Sequence, residues 1–359
     1  MTAAVTAARR SSGGGPMGLQ SSRRLPSWFP VATAAGSLLL GAGITFAGGG
    51  GAVAFVIVAL LLFVVATAGI SFVVEGHRKG ANRLATTLVY GAFGIAMVPL
   101  VSVVYVVVKN GIARFDVEFF TYSLSGVAGA GGGAYHAIIG TLLITLVTSL
   151  ISIPIGILCS IYLVEYGTGR LAHAITFFVD VMTGIPSIVA GLFAYALFEL
   201  LTQDPGYRSG LAGSIALSVL MLPVVVRSTE EVLRLVPSEL REASYALGAP
   251  KWRTILRVVL PTAIGGIVTG VTLAIARVTG ETAPLLLTAG YTTATNTNLL
   301  SGRMSNLPEF IYFQFTVPGI PASTGINRAW TAALVLIAIV MLLNLAARLV
   351  ARVFRPTTR

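Results

Sequence analysis

The sequence predicts an all-α polytopic membrane protein with about eight spans, and two observations carry that prediction. Of the 359 residues, 55% are hydrophobic and only 10% are charged, whereas soluble domains carry about 25% charged residues. Apolar stretches of about 20 residues also recur along the chain, and each is long enough to cross about 30 Å of hydrocarbon. The composition therefore excludes an ordinary soluble domain.

The candidate spans follow one another with short polar connections. They lie near residues 29–47, 52–74, 85–108, 136–164, 172–199, 210–226, 259–289 and 329–351. Glycines at 48–51 join the first two, so we expect a membrane hairpin there and not a cleaved signal peptide. The preceding residues, 1–27, are rich in Ser, Gly, Ala and Arg, a composition that predicts a disordered cytoplasmic tail.

The basic residues predict which side of the membrane each loop faces. The formal net charge of +11 could indicate a nucleic-acid partner, but the Lys and Arg residues are scattered in short loops between the spans. With the N-terminus inside, eighteen of the 24 Lys and Arg face the cytoplasm and one, Arg277, falls within a span. Such an excess is typical of cytoplasmic loops, so we expect both termini in the cytoplasm and no nucleic-acid binding.

The most polar interior segment runs from Arg241 to Arg253. Ser238 is placed to cap a helix, Gly248 to end it, and Pro250 to open a second one. Two short helices around a glycine turn, presented between spans on the cytoplasmic side, suit the docking of a soluble partner. An ordinary amphipathic loop is the alternative interpretation.

Two charged residues, Arg277 and Glu281, fall in or near the seventh predicted span, where each charge costs about 2.5–3.5 kcal/mol. Their spacing of four residues predicts a shared helix face. The same face continues through Gly266, Gly270 and Ala274, small residues that permit close approach of another helix. Such a face suits the wall of a pathway, and the permanent charge and five donors of arginine suit an oxyanion. The alternative is an ion pair that only fixes helix packing.

Prolines predict local breaks in two of the spans. Pro284 lacks an amide hydrogen and can loosen the seventh span, and the segment Gly184–Ile188 can do the same in the fifth. The backbone groups that such breaks expose must line protein or water.

The motifs of a metal or nucleotide site are missing from the sequence. The three histidines are dispersed, no His-Glu-x-x-His pattern occurs, and a single cysteine, Cys159, excludes a cysteine cluster. The chain also has no Gly-x-x-x-x-Gly-Lys-Ser/Thr loop for nucleotide phosphates. If ATP drives this protein, another chain must supply the nucleotide site.

The polar segment resembles the EAA loop of ABC importer permeases. It carries Glu242-Ala243, then Gly248 five residues after Ala243, and Leu260-Pro261 further on. In that family the loop forms the coupling helix that seats in a cleft of the ATPase subunit. Ser244 replaces the second alanine of the family pattern, which is a small-for-small change.

Further stretches are similar to phosphate importer permeases of the PstA type. They are Leu222–Glu231, Val236–Ala243, Ala276–Leu286, Tyr162–Tyr166 and Gly184–Leu192. The resemblance covers about residues 84 to 352. It implies an ABC importer type I permease core, to which this chain adds two extra N-terminal transmembrane helices.

The resemblance also implies function, partners and location. We expect ATP-driven import of inorganic phosphate, with this chain forming part of the translocation path in a bacterial cell membrane. A sister permease subunit, two ATPase subunits and an extracytoplasmic phosphate-binding protein are the expected partners. The chain itself is then a non-catalytic permease that binds no cofactor or metal, while the partner ATPase uses ATP and Mg.

Two sets of site residues follow from the same resemblance. The substrate path is expected to contain Arg277, Glu281 and Thr282. The ATPase coupling site is expected to contain Glu242, Ala243, Gly248, Ala249 and Pro250.

The expected organisation has five segments. They are a tail at 1–27, the extra hairpin with a cytoplasmic loop at 28–80, the first core span with an outer loop at 81–135, the permease domain at 136–352 with its coupling loop at 227–258, and a C-terminal tail at 353–359.

Three other functions stay open at this point. The chain could import another oxyanion, such as molybdate or sulfate, although the Ala-Arg-x-x-Gly-Glu-Thr-Ala-Pro stretch beginning at Ala276 argues against it. It could be a carrier driven by an ion gradient, which would work alone, or a membrane sensor or scaffold that transports nothing. Phosphate uptake into vesicles with and without an ATPase partner separates these functions.

Overall fold

The computed structural model describes residues 25–353, and every regular element in that range is helical. Most of the two predicted tails, residues 1–24 and 354–359, lies outside the described residues. The α-helices are α1 (Phe29–Ala47), α2 (Ala52–Glu75), α3 (His77–Gly111), α4 (Val117–Thr121), α5 (Tyr135–Ile161), α6 (Arg170–Thr183), α7 (Ser187–Thr202), α8 (Gly210–Arg234), α9 (Ser238–Ala246), α10 (Lys251–Thr254), α11 (Leu260–Thr279), α12 (Ala283–Thr288), α13 (Leu307–Thr316) and α14 (Ala322–Val353). A 3-10 turn at Ile112–Arg114 follows α3, and π-helical turns at Tyr162–Tyr166 and Ile255–Val259 extend α5 and precede α11.

Within the described range, seven helices are long and apolar enough to cross a membrane, and an eighth span results if the bent pair α6–α7 counts as one. The predicted all-α polytopic membrane protein with about eight spans is therefore confirmed.

The chain divides into two compact units, Met1–Val103 and Val104–Arg359. In the first, α1 and α2 pack closely because Gly41 has no side chain. A Cβ added there would lie 3.0 Å from the Cα of Ala59.

In the first unit, a buried carboxylate at the end of α2 accepts hydrogen bonds from three neighbouring residues. Glu75 accepts a hydrogen bond from Nε of Arg83 at 2.7 Å and another from Oγ of Ser71 at 2.7 Å. The backbone N–H of Leu25 donates to the same side chain at 2.9 Å. Because its side chain is only 4% exposed, these donors are what offset the cost of removing the charge from water.

The second unit is built around α8, the helix whose apolar stretch is most buried, at 67%. Helix α5 approaches it closely at Gly156, where a Cβ would lie 2.6 Å from Cγ1 of Val225. The hydroxyl of Ser160 then donates across the interface to the carbonyl of Val226 at 2.8 Å. Small residues and hydroxyls that find backbone acceptors are typical of packed membrane helices.

Helix α11 packs against another part of α8 through the small residues that the sequence pointed to. A Cβ on Gly266 would lie 2.5 Å from Cγ1 of Val232, and one on Gly270 would lie 2.4 Å from Oγ of Ser228. The close approach expected from this glycine-lined face is therefore present.

Both expected breaks are also present. Helices α6 and α7 meet at 110° around Gly184–Pro186. Helix α11 ends at Thr279, and α12 starts only at Ala283 with Pro284 in its first turn. The predicted spans 172–199 and 259–289 are thus not continuous helices.

Candidate functional site: a coupling segment and a broken helix

The segment that links α8 to α11 forms a short helix, a turn and a second short helix. Helix α9 ends at Ala246, and Gly248 then takes a positive φ of +77°, a conformation that glycine adopts without strain. The N–H of Gly248 donates to the carbonyl of Tyr245 at 2.9 Å, and that of Ala249 to the carbonyl of Ser244 at 3.2 Å. Pro250 follows as the residue that caps α10. We call residues 238–254 the coupling segment.

The predicted cap at Ser238 is wrong. Pro237 takes the N-cap position, with φ of −57° and ψ of 140°, and no side chain caps the helix. The proline ring fixes φ, and Pro237 with its extended ψ takes the cap position, so the helix starts one residue earlier than predicted. Ser238 is consequently the first residue inside α9.

Arg241 joins the coupling segment to the membrane core. Its Nε and Nη2 donate to Oε1 of Glu165 at 3.0 and 2.9 Å. Its Nη1 donates to the carbonyl of Val236 at 2.6 Å, and Nη2 also donates to the carbonyl of Leu233 at 3.0 Å. The Glu165 side chain is 5% exposed and that of Arg241 18%, so this is a largely buried ion pair with several hydrogen bonds.

Two further contacts stiffen the segment. The hydroxyls of Ser244 and Thr254 lie 2.8 Å apart and tie α9 to α10. The ammonium of Lys251 lies 4.6 Å from the centre of the Tyr166 ring, next to Glu165 in the π-helical turn that ends α5. The segment is therefore held against that turn from both of its helices.

The outer surface of the coupling segment is open. Helix α9 has no buried residue, and Glu242 and Ala243 are both exposed on it. The turn adds Leu247, which is 89% exposed, and Trp252 follows at 55%. Exposed large apolar side chains beside charged ones are typical of an interaction surface.

The five expected coupling residues lie together within this segment. Glu242 and Ala243 are on α9, Gly248 and the half-buried Ala249 form the turn, and Pro250 opens α10. The residues that hold the segment in place, Arg241 and Glu165, were not among those expected.

The expected path residues lie at the break between α11 and α12. Arg277 is exposed in the last turn of α11, and Glu281 follows in the non-helical link, half-buried. The expected shared helix face is wrong, because α11 ends two residues before Glu281. Arg277 and Glu281, both in the described range, form no ion pair within 4.0 Å, so the alternative of a structural ion pair has no support here.

Thr282 is the N-cap residue of α12 and lines a groove between α12 and α13. The groove has a volume of about 470 Å³, and its other walls include Leu286, Tyr312 and Phe315. Arg277 and Glu281 do not line it. The structure therefore brings the three residues near one break but places only Thr282 in this groove.

A second charged cluster links α6 to α8. Arg227 pairs with Asp180 on α6, and its Nη1 lies 2.7 Å from Oε2 of Glu230. Nη2 of Arg234 lies 2.6 Å from the other oxygen of Glu230. Asp180, Glu230 and Arg234 of this cluster line a cavity of about 400 Å³, and His173 lines it as well. Within residues 25–353 no group of three or more His, Cys, Asp or Glu could hold a metal ion.

The second unit is a set of membrane-spanning helices with an exposed segment between two of them. The chain belongs to the family of binding-protein-dependent transport system inner membrane components, whose model matches residues 152–359. The matched region contains the coupling segment and both helix breaks.

Within this family of transport components, similar curated proteins are named as phosphate transport permeases. The phosphate transport system permease protein PstA 1 of Mycobacterium tuberculosis (strain ATCC 25618 / H37Rv) is 47% identical over 278 residues, which are 76% of this chain and 88% of the relative. PstA of Pasteurella multocida (strain Pm70) is 41% identical over 273 residues, 76% of this chain and 95% of the relative. Among solved structures, an inward-facing MetNI methionine ABC transporter chain aligns with a TM-score of 0.49 and 21% identity, covering 60% of this chain and 94% of that one. The predicted resemblance to PstA-type permeases is confirmed by the curated relatives.

Proposed function

We propose that the chain is the transmembrane permease subunit of an ATP-driven importer of inorganic phosphate. The observation that carries the proposal is the coupling segment, an exposed helix–turn–helix held to the membrane core by the Arg241–Glu165 pair. Relatives named as phosphate transport permeases support phosphate as the substrate.

The proposal requires several partners. A sister permease subunit completes the path, two ATPase subunits hydrolyse ATP with Mg, and an extracytoplasmic binding protein delivers phosphate. This chain contributes no catalytic residue and binds neither nucleotide nor metal. The ATPase docks on Glu242, Ala243 and the turn from Gly248 to Pro250, and the exposure of all of these except the half-buried Ala249 supports that role.

The orientation follows from the distribution of basic residues. The coupling segment and both termini face the cytoplasm of a bacterial cell, and residues 136–352 form the permease domain. Residues 28–80 form an additional hairpin outside that domain.

Phosphate is proposed to pass beside the break between α11 and α12. The exposed guanidinium of Arg277 supplies the positive charge, and Glu281 and Thr282 sit in the adjoining link. Helix α11 begins directly after the coupling segment and its π-helical turn. Movement of the segment when the ATPase closes therefore reaches the break through a single helix. The permease must change between an inward and an outward state, and phosphate or nucleotide shifts the balance between them only if it binds the two states with different affinity.

The proposal is tested by co-purifying the chain with its partners and measuring phosphate uptake into vesicles. We expect uptake only when the ATPase subunits and ATP are both present. Uptake by this chain alone that collapses with the proton or sodium gradient would indicate a gradient-driven carrier. Transport of molybdate or sulfate but not phosphate would indicate a different oxyanion, and no transport by an assembled complex would indicate a sensor or scaffold.

A further inference from the structure

The second unit contains a buried arginine, Arg328, that has no ionic partner among the described residues. Arg328, in the second turn of α14, is 5% exposed. Among the described residues no carboxylate oxygen lies within 4.0 Å of its guanidinium. A buried permanent charge is normally paired, because leaving it unpaired in a low-dielectric site is costly.

Neutral acceptors satisfy only part of this guanidinium. Nη1 of Arg328 donates to Oε1 of Gln314 at 3.1 Å, and Nη2 donates to the carbonyl of Gly129. Nε is buried and has no hydrogen-bond partner. The group therefore keeps both its full charge and a free donor.

Arg328 is one of the residues that line a cavity of about 450 Å³. Tyr291 and Thr293 line the same cavity, together with Gln314 and the loop around Gly129. The Tyr291 hydroxyl accepts a hydrogen bond from Nε2 of Gln314 at 3.4 Å, so its own hydrogen remains available to an acceptor. A water molecule occupies about 30 Å³, so the cavity has room for a small anion with part of its hydration shell.

We propose that this cavity, which we call the Arg328 cavity, binds a small oxyanion against Arg328 and Tyr291. An oxyanion would neutralise the buried guanidinium, and it would accept from the tyrosine hydroxyl. Charge-assisted hydrogen bonds of this kind are stronger than neutral ones. The residues that line this cavity do not include Arg277, Glu281 or Thr282. Inorganic phosphate is the expected ligand, a choice that rests on the proposed function, whereas the need for an anion does not.

The test measures thermal unfolding of the purified full chain against inorganic phosphate, with chloride at equal ionic strength as reference. Gln314→Glu is the decisive variant, because it places a carboxylate within reach of the guanidinium and so supplies the missing charge from the chain itself. Arg328→Gln removes the charge. Arg303→Gln is the matched control, since Arg303 is an exposed arginine in the same part of the chain.

We expect phosphate to raise the Tm of the wild type and of Arg303→Gln equally. In Arg328→Gln and Gln314→Glu the phosphate concentration for half-maximal stabilisation should rise at least about ten-fold. A wild-type response in Gln314→Glu, or no phosphate response in the wild type, would overturn the proposal. If Arg328→Gln fails to fold, Gln314→Glu still decides.

The same preparation separates this inference from the proposed function. ATP-dependent phosphate uptake by the wild-type complex is measured in parallel. If the wild-type complex shows no uptake while phosphate still stabilises the chain in an Arg328-dependent way, only the proposed phosphate importer is contradicted. If uptake is normal while phosphate stabilises the wild type and Gln314→Glu equally, only the proposed anion binding in the Arg328 cavity is contradicted.

Discussion

Arg241 on the coupling segment donates two hydrogen bonds to one carboxylate oxygen of Glu165, although the two residues are 76 positions apart in the chain. The same guanidinium also donates to the backbone carbonyl of Leu233 in the last turn of α8 and to that of Val236 just after the helix. One side chain thus ties α8, α9 and the end of α5 together. We therefore expect a force applied to the coupling segment to reach the core through this contact.

Arg241→Gln should loosen the coupling segment. The change leaves Glu165 largely buried without its ionic partner, which we expect to cost about 2–4 kcal/mol of folding free energy. Co-purification of the ATPase subunits should fall with it. Arg257→Gln, which removes an exposed charge from the neighbouring turn, is the control, and equal Tm and equal ATPase recovery in both variants would show that the pair is unimportant.

The turn at Gly248 should tolerate residues according to their backbone preference and not their size. A Cβ at this position meets nothing within 4 Å, but φ is +77°, which costs an ordinary L-residue about 1–2 kcal/mol. Gly248→Val should therefore weaken coupling of ATP hydrolysis to uptake, whereas Gly248→Asn should retain most of it. The ratio of phosphate taken up to ATP hydrolysed measures this, and the same ratio in both variants would contradict the argument.

The contact between α8 and α11 should not accept a larger residue at Gly270. Overpacking against Ser228 should destabilise Gly270→Ala by about 1–3 kcal/mol. Adding Ser228→Gly should restore part of the loss, because it removes the side chain that the new methyl group would meet. Gly94→Ala, where nothing lies within 4 Å, is the control for the alanine itself. A Tm of Gly270→Ala no lower than that of Gly94→Ala would refute the close packing.

A buried carboxyl on α13 should make stability depend on pH. Removal from water raises the pKa of Glu309 from 4.5 to about 8, against smaller opposing effects of Asn306 and Arg208. The folded state therefore binds one more proton than the unfolded state between these values, and stability should fall as pH rises through that window. Glu309→Gln should remove this slope and be more stable than the wild type near pH 8 by an amount on the order of 2 to 4 kcal/mol.

Thermal unfolding of Glu309→Gln and wild type from pH 5 to pH 8.5 (about the range in which the carboxyl titrates) checks this. Glu231→Gln, at an exposed carboxylate, should follow the wild-type curve. Parallel curves for Glu309→Gln and wild type would show that the carboxyl is ionised in the folded protein.

Local chemistry predicted the coupling segment well. Gly248 permits the positive φ of the turn without strain and Pro250 fixes its own φ, so the turn and the start of α10 follow from the sequence. The predicted cap at Ser238 was wrong because Pro237, one residue earlier, fixes its own φ and takes the N-cap position. Periodicity predicted the glycine-lined face of α11, which the contacts of Gly266 and Gly270 with α8 confirm.

Contacts between residues far apart in the chain could not be predicted from the sequence. Nothing near Glu165 indicates that Arg241 will meet it, and Arg328 gives no sign in sequence that its burial leaves it without a carboxylate. The spacing of Arg277 and Glu281 suggested one helix face only because the helix was assumed to continue. Gly280 and Pro284 end it first, since Pro284 offers no amide hydrogen for a continuing helix.

The most direct measurement is ATP-dependent phosphate uptake by vesicles that contain the complex with Arg277→Gln, with ATP hydrolysis recorded in the same sample. Arg277 is exposed and forms no ion pair among the described residues, so assembly and Tm should match the wild type and hydrolysis should continue. Phosphate uptake should fall at least about 100-fold, as expected for loss of a charged contact with the passing anion. Wild-type uptake by this assembled variant would contradict the account.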